Sequence, residues 1–399
     1  MAMVSEYLYK LGSSRSVIRE LFEYGKVRAA EIGAENVFDF SLGNPSVPAP
    51  KEVNETAIRI LQENPELIHC YTSGQGDLAV RERLAASLNR RFGTSYGPAE
   101  LYMTCGAASS LCCTIRALTL PNAENEVVVF APFFPEYRVF VEGAGCKMVV
   151  IPPREPDFQL PLDVFEAALT PATRAVMINS PSNPSGVVYT RETLEQLASI
   201  LESKAKEFGH PIYLISDEPY REIVFNGVNV PWVPDLYKDT IVCYSYSKSL
   251  SLPGERIGYV LVPNQATDAR EVFAAVMGAG RSMGYVNAPS LFQQVISFCA
   301  DMTSDLGVYE RNCKLLVPAL RSMGYELPEP GGAFYLFPKS LEPDDKAFSE
   351  RAKKEFDLLL APGTGFGAPG HFRLSYCVPT ERIERALPRF KALAEAYGK

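Results

Sequence analysis

The chain is poor in the residues from which metal centres are built. It has three histidines among 399 residues and no C-x-x-C pair. Its nine cysteines are scattered, and an odd number in a chain this long does not read as a disulfide framework. Cys112 and Cys113 are neighbours in an apolar stretch and cannot both chelate one ion comfortably, while His69 and Cys70 have no partners at ligand spacing. The reading is of thiols packed as small hydrophobes in a reducing cytoplasm, with no metal. No apolar run approaches the about 20 residues that span a bilayer, and no basic stretch leads an apolar one at the N-terminus, so neither a membrane span nor a signal peptide is expected. Basic runs are also missing. With 39 Lys and Arg against 47 Asp and Glu, a net charge of -8 and a pI near 5.2, the chain is a poor partner for nucleic acid or an anionic membrane.

What is present is an ordinary globular composition, 47% hydrophobic and 22% charged, in a chain long enough for a large domain and a smaller one. Short, continuously apolar runs recur at 127–131, 147–152, 175–179, 212–216, 241–244 and 257–262. Such runs suit strands of a buried, mostly parallel sheet. Intervening segments such as 192–207 are long enough for crossover helices, so the centre reads as an α/β domain with helices on both faces. The last third differs: 305–323 looks helical, 333–337 and 372–376 look like strands, and 381–397 is an amphipathic helix. This implies a smaller α+β domain, against which a helix over 13–32 packs. The expected boundaries are 45–285 for the large domain and 1–44 with 286–399 for the small one. No repeat or low-complexity segment is visible.

Four segments carry chemistry. Thr104-Cys105-Gly106-Ala107-Ala108-Ser109-Ser110 is a small-residue turn opening an apolar helical stretch, where backbone N–H groups and a helix dipole attract an anion. It is not a Walker loop, since no Gly-Lys-Ser/Thr follows, and the later 363–367 run (GTGFG) is not a Rossmann fingerprint. Asn179-Ser180-Pro181-Ser182-Asn183-Pro184-Ser185-Gly186 follows an apolar run. Ser216-Asp217-Glu218-Pro219-Tyr220 follows another, and a carboxylate buried there needs a partner. Ser245-Tyr246-Ser247-Lys248 sits at a third strand end, with Arg256 eight residues on. There a partly neutral amine can form an imine with an aldehyde, while hydroxyls and a guanidinium hold a phosphate. Each segment alone admits a plainer reading: a helix start, a Pro/Asn turn, a capping carboxylate, a surface lysine.

Together and in this order, all at strand ends, Asn183-Pro184-x-Gly186, Asp217-x-x-Tyr220 and Ser245-x-x-Lys248 with Arg256 resemble the class I/II aminotransferases, from about Ser41 to about Tyr376. The resemblance implies a fold-type I, pyridoxal-5'-phosphate (PLP) dependent enzyme. An L-amino acid would pass its amino group to a 2-oxo acid, 2-oxoglutarate being the family expectation, by a ping-pong exchange between aldimine and pyridoxamine forms. Lys248 would be the Schiff-base lysine and proton shuttle. Asp217 would pair with the pyridinium nitrogen, and Tyr220 and Asn183 would meet the ring oxygen. Phe134, in Pro132-Phe133-Phe134-Pro135-Glu136-Tyr137, would stack on the ring. Gly106, Ala107 and Ala108 of the phosphate turn, with Ser245 and Arg256, would hold the phosphate. Tyr71 would reach the phosphate of the other subunit, implying a homodimer with shared active sites. Arg373 and the Gly43 N–H would bind the substrate carboxylate.

The lysine that some relatives carry in the phosphate turn for acidic side chains is absent, Ala108 and Ser109 standing there. Arg281, reaching from the partner subunit, is the candidate for a substrate side-chain contact against a surface salt bridge. A C–S β-lyase or a cyclopropane-forming synthase uses the same fold and first contacts. A PLP-sensing regulator would need a DNA-binding domain, for which a match starting near Ser41 leaves no room.

Overall fold

The computed structural model describes residues 3–13 and 17–399. A two-residue strand, β1 (Phe38–Asp39), is followed by seven that form one sheet: β2 (Leu101–Thr104), β3 (Glu126–Phe130), β4 (Lys147–Ile151), β5 (Thr173–Asn179), β6 (Tyr213–Asp217), β7 (Thr240–Ser245) and β8 (Gly258–Leu261). Their order is β2-β8-β7-β6-β5-β3-β4. All neighbours run parallel except β8, which is antiparallel to both β2 and β7. The exception has a local cause. The link from β7 to β8 is spent on one helical turn, Tyr246–Ser249, and a bend through Arg256, and no crossover helix fits, so the chain returns beside the strand it left.

The sheet is buried on both faces, which is why its strands read as continuous apolar runs. Val127, Val129, Met177, Ile215 and Cys243 face a cluster that includes Leu111 and Ile115 of the helix Ala107–Leu118. Val128, Phe130, Val176, Ile178 and Leu214 face the opposite cluster with Leu194, Leu197 and Leu201 of the helix Arg191–Phe208. The alternation follows the two-residue strand period. The Arg191–Phe208 helix is fixed at its start by the Thr190 hydroxyl accepting from the Thr193 N–H.

Four short strands complete the chain: β9 (Tyr335–Leu336), β10 (Leu358–Leu359), β11 (Ala361–Pro362) and β12 (Phe372–Ser375). β11, β12 and β9 form an antiparallel sheet, and β1 pairs in parallel with β10. A separate core holds Phe334, Leu336, Phe372 and Leu374 with Phe390 and Leu393 of the last helix, Thr380–Glu395. The helix Ser290–Cys299 packs instead with Lys51–Glu63 and Leu78–Phe92, sharing a cluster through Val295, Ile296 and Cys299.

Several expectations need correction. Of the helix expected over 13–32, Val17–Ile32 is described, a helix Glu6–Ser13 precedes it, and residues 14–16 lie outside the described residues. β2 was not foreseen, because four residues with polar flanks give no periodic signal. The strand read over 333–337 shrinks to two residues: Ala333 takes a φ of 56°, which ends the extended run.

Candidate active site

Three parallel strands deliver their carboxyl ends to one place. In register, Asn179 of β5 lies beside Asp217 of β6, and Asp217 beside Cys243 of β7, two residues before Ser245. The chain leaves each strand there, so side chains from loops far apart in sequence converge at one sheet edge. A pocket of about 330 Å³ opens at this edge. It is lined by Gly43, Ala107, Ala108, Phe134, Asn183, Asp217, Tyr220, Ser245, Lys248, Arg256 and Arg373. Eleven of the fourteen expected site residues therefore meet in one cavity.

Lys248 lies in the helical turn directly after β7. Its Nζ donates to the Gly43 carbonyl at 2.7 Å. Burial pushes its pKa down to about 8, the nearby Cys377 opposing this and the charges of Arg256 and Arg373 adding to it. An amine titrating near 8 is neutral in about a tenth of molecules at pH 7, far more than an ordinary lysine, and the neutral form has the chemistry of a nucleophile and base. The contact at Gly43 is made by its carbonyl, with a different atom from the N–H expected for the substrate carboxylate. A side chain at Gly43 would overlap the Tyr335 hydroxyl.

Asp217 is 5% exposed, and burial pushes its carboxyl up to about 7. Tyr137 donates its hydroxyl to Oδ2 at 2.5 Å. The other oxygen, Oδ1, is buried with no hydrogen-bond partner among the described residues. Asn179 braces the strand end, its Nδ2 donating to the Asp217 carbonyl at 2.8 Å and its Oδ1 accepting from the Asn183 N–H at 2.6 Å.

Arg373, on β12, is 2% exposed. It donates from Nη1 to Asn183 Oδ1 at 2.9 Å and from Nη2 to the Ser41 carbonyl at 2.5 Å. Its guanidinium lies between the Tyr335 and Phe366 rings, 4.8 Å from each. Its Nε is buried without a hydrogen-bond partner among the described residues, and no described carboxylate comes within ion-pair distance of it. A buried cation lacking an ion-pair partner is costly, and an anion beside it would offset that cost. Burial accordingly lowers its pKa. The Tyr220 and Tyr335 hydroxyls are 2.9 Å apart.

The phosphate turn is built as its small residues imply. Gly106 precedes the helix Ala107–Leu118 at φ 84°, and a Cβ there would lie 2.9 Å from Arg256 Nη2. The glycine thus lets the guanidinium come over the helix start, where Ala107 and Ala108 line the pocket and a helix N-terminus favours an anion. Arg256 itself takes φ 51° and is tied by Nη1 to the Pro253 carbonyl at 2.9 Å. The Ser245 hydroxyl accepts from the Ser247 N–H at 3.1 Å.

Three expected residues stand apart. Gly106 backs Arg256 without lining the pocket. Tyr71 is 97% exposed, and Arg281 is exposed at the end of the helix Ala269–Ser282; neither lines the pocket of its own chain. Sequence reasoning missed Tyr137, Asn179 and Tyr335. Tyr137 had a signal, since it stands one helical turn after Phe134, and the two rings meet edge-on at 5.7 Å.

Residues 35–390 match the family model described as aminotransferase class I and II. The chain belongs to this family. An aspartate aminotransferase of Thermotoga maritima is 31% identical, the match covering 92% of this chain and 93% of the relative. An aromatic-amino-acid aminotransferase of Thermococcus litoralis is 29% identical over 94% and 95%. The solved structure of an aminotransferase from Eubacterium rectale is 52% identical, covers 100% of both chains and gives a TM-score of 0.97. That of an aspartate aminotransferase from Thermus thermophilus with maleate is 27% identical, covers 98% of this chain and all of the other, and gives 0.85. The protein is thus an enzyme, an aminotransferase of the fold-type I class, and PLP-dependent as the family is. The residues of this aminotransferase fit that cofactor. The unpartnered Asp217 Oδ1 has the chemistry to take a protonated ring nitrogen, and the Gly106–Arg256 cradle that of a phosphate site. No helix among the described residues is long and apolar enough to cross a membrane.

Proposed function

We propose that the enzyme moves the amino group of an L-amino acid to a 2-oxo acid, 2-oxoglutarate among them, with the roles that follow. The observation that carries this reading is one pocket holding a lysine with its pKa near 8, a half-satisfied buried carboxyl and a buried arginine without a counter-ion. Asp217 would hold the pyridinium nitrogen of PLP. Tyr220 and the Asn183 amide, whose Nδ2 makes no hydrogen bond to a described residue, would hold the ring oxygen. Phe134 would cover a ring face, and Ala107, Ala108, Ser245 and Arg256 would bind the phosphate. Bound there, the cofactor supplies an electron sink for the substrate α-carbon.

Arg373 holds the α-carboxylate through its fork and so fixes the α-carbon near Lys248. Lys248 would hold the cofactor, and once the substrate amine has freed it, its neutral amine would remove the proton from that carbon; in the chain alone this amine rests on the Gly43 carbonyl. Tyr335 keeps the Tyr220 hydroxyl oriented and supports the Arg373 face. Tyr71 and Arg281, outside the pocket of their own chain, we assign to the neighbouring site of a cytoplasmic homodimer. We propose a large domain over 45–285 and a small one over 1–44 with 286–399; the helix Ser290–Cys299, which packs on the large domain's core, argues for moving that second boundary to beyond Cys299.

The test is the absorption spectrum of the purified enzyme with PLP. It should be bleached by a donor amino acid and restored by 2-oxoglutarate. Loss of the band with release of ammonia, and no recovery with any 2-oxo acid, would overturn transfer in favour of elimination.

A further inference from the structure

Once the cofactor and the α-carboxylate are given their partners, a distinct part of the pocket wall is left over. It includes the apolar side chains of Ile18, Leu42, Leu111 and Phe140, and its single charged one is Glu136. Every cation that this chain itself places in the wall is spoken for: Lys248 at the α-carbon, Arg256 at the phosphate turn, Arg373 at the carboxylate. Glu136 is half-buried and makes no hydrogen bond or ion pair with any described residue. Its neighbour Tyr137 is fixed by Asp217, and Phe134 two residues earlier lines the pocket, so the Glu136 backbone is held at the rim.

We infer that Glu136 sets the side-chain selectivity of the enzyme, favouring donors with an apolar stem ending in a cation and opposing a second carboxylate. The inference rests on the proposed transamination at this site. A half-buried carboxylate with apolar neighbours acts on a facing charge through a medium less screening than water, and its sign alone decides which substrate ends are drawn in. A diamino acid such as lysine matches the wall along its length: methylenes against Ile18, Leu42 and Phe140, the ammonium at Glu136. Ala108, which lines the same pocket, supplies no charge to offset Glu136. The same wall receives 2-oxoglutarate in the second half-reaction, so its distal carboxylate meets the same charge. The plainer role for Glu136 is to complement the dipole of the helix Glu136–Gly143, whose first turn it occupies. That role does not sort substrates by charge.

The experiment compares kcat/KM for L-lysine with that for L-norleucine, which has nearly the same stem and no terminal amine, in the PLP-loaded enzyme and in Glu136→Gln. The lysine-to-norleucine ratio should be about tenfold in the native enzyme and fall toward unity in the variant, while the KM for 2-oxoglutarate falls. The opposite movement of cationic and dicarboxylate substrates separates charge selection from lost helix stability, and the ratio does not depend on how much enzyme is active. A native ratio of one or less, or a ratio that Glu136→Gln leaves unchanged, overturns the inference. If norleucine turns over with no preference for lysine, the selectivity claim fails alone; if no donor is transaminated at all, the proposed function beneath it fails.

Discussion

The Tyr137 hydroxyl donates to one oxygen of Asp217 and leaves the other buried with no partner among the described residues. Burial raises this carboxyl to about 7, so the folded chain binds a proton there that the unfolded chain releases near its ordinary value. The sign follows: between about pH 4 and pH 7 the native state holds more protons, and stability falls as pH rises through that window. Asp217→Asn should remove this loss. In the cofactor-free protein the variant should melt higher than the native chain above pH 7, by up to a few kcal/mol, yet turn over substrate far more slowly. Thermal melts from pH 5 to pH 8 decide it. A native protein with a flat profile would show that Asp217 carries no such strain.

Lys248 gives the opposite slope. Its pKa is lowered by burial to about 8 against an ordinary 10.5, so in the cofactor-free protein the unfolded chain binds the extra proton between those values. Stability contributed by this group therefore rises with pH from about 8 to about 10. Lys248→Met should flatten that rise, stabilise the cofactor-free protein at pH 7, and abolish transamination. Denaturant titrations at pH 7.5 and 9.5 on both proteins measure the difference. Equal changes in the two would mean that the amine is solvated.

The strand-end motifs were legible because a parallel sheet stacks the exits of its strands on one edge. Once Asn183, Asp217 and Lys248 each follow an apolar run, the fold brings them together whatever the loops between them do. The contacts that tune them were not legible. Tyr137 meets a carboxyl 80 residues away and Tyr335 meets a tyrosine 115 residues away, and a single aromatic in an apolar segment looks the same whether its hydroxyl has a partner or not. The role of the Gly43 carbonyl was hidden for a related reason: a backbone acceptor leaves no trace in residue type. Contacts across a subunit boundary, as expected of Tyr71 and Arg281, depend on a surface whose sequence only says that it is exposed.

Arg373 bears on every substrate through the group they share. Its guanidinium is buried, bound to Asn183 and Ser41, and without an ion-pair partner among the described residues. Arg373→Ala should reduce kcat/KM by roughly 10²- to 10³-fold for amino and oxo acids alike, the range for truncating one side of a buried charge pair. Arg373→Lys should recover only part of it, because an ammonium cannot grip a carboxylate with two parallel bonds. Steady-state kinetics on aspartate, alanine and phenylalanine test this. A loss confined to one of them would move Arg373 from the shared carboxylate to the side chain.

Gly106 tests the phosphate cradle from its least reactive member. The residue adopts φ 84°, where a side chain costs about 1–2 kcal/mol, and a Cβ would stand 2.9 Å from Arg256 Nη2. Arg256 is held at its other nitrogen by Pro253 and has its own backbone in the left-handed region, so it can yield only by giving up that tie. Gly106→Ala should therefore weaken PLP binding by about tenfold or more while leaving the Asp217 and Arg373 ends of the pocket intact. Cofactor titration followed by absorbance gives the affinity, and kcat at saturating PLP gives the remainder. Lost affinity with kcat recovered at saturation is the expected pattern, since the methyl group acts on the phosphate end alone. A variant that binds PLP normally would mean that Arg256 does not sit over this turn when the cofactor is bound.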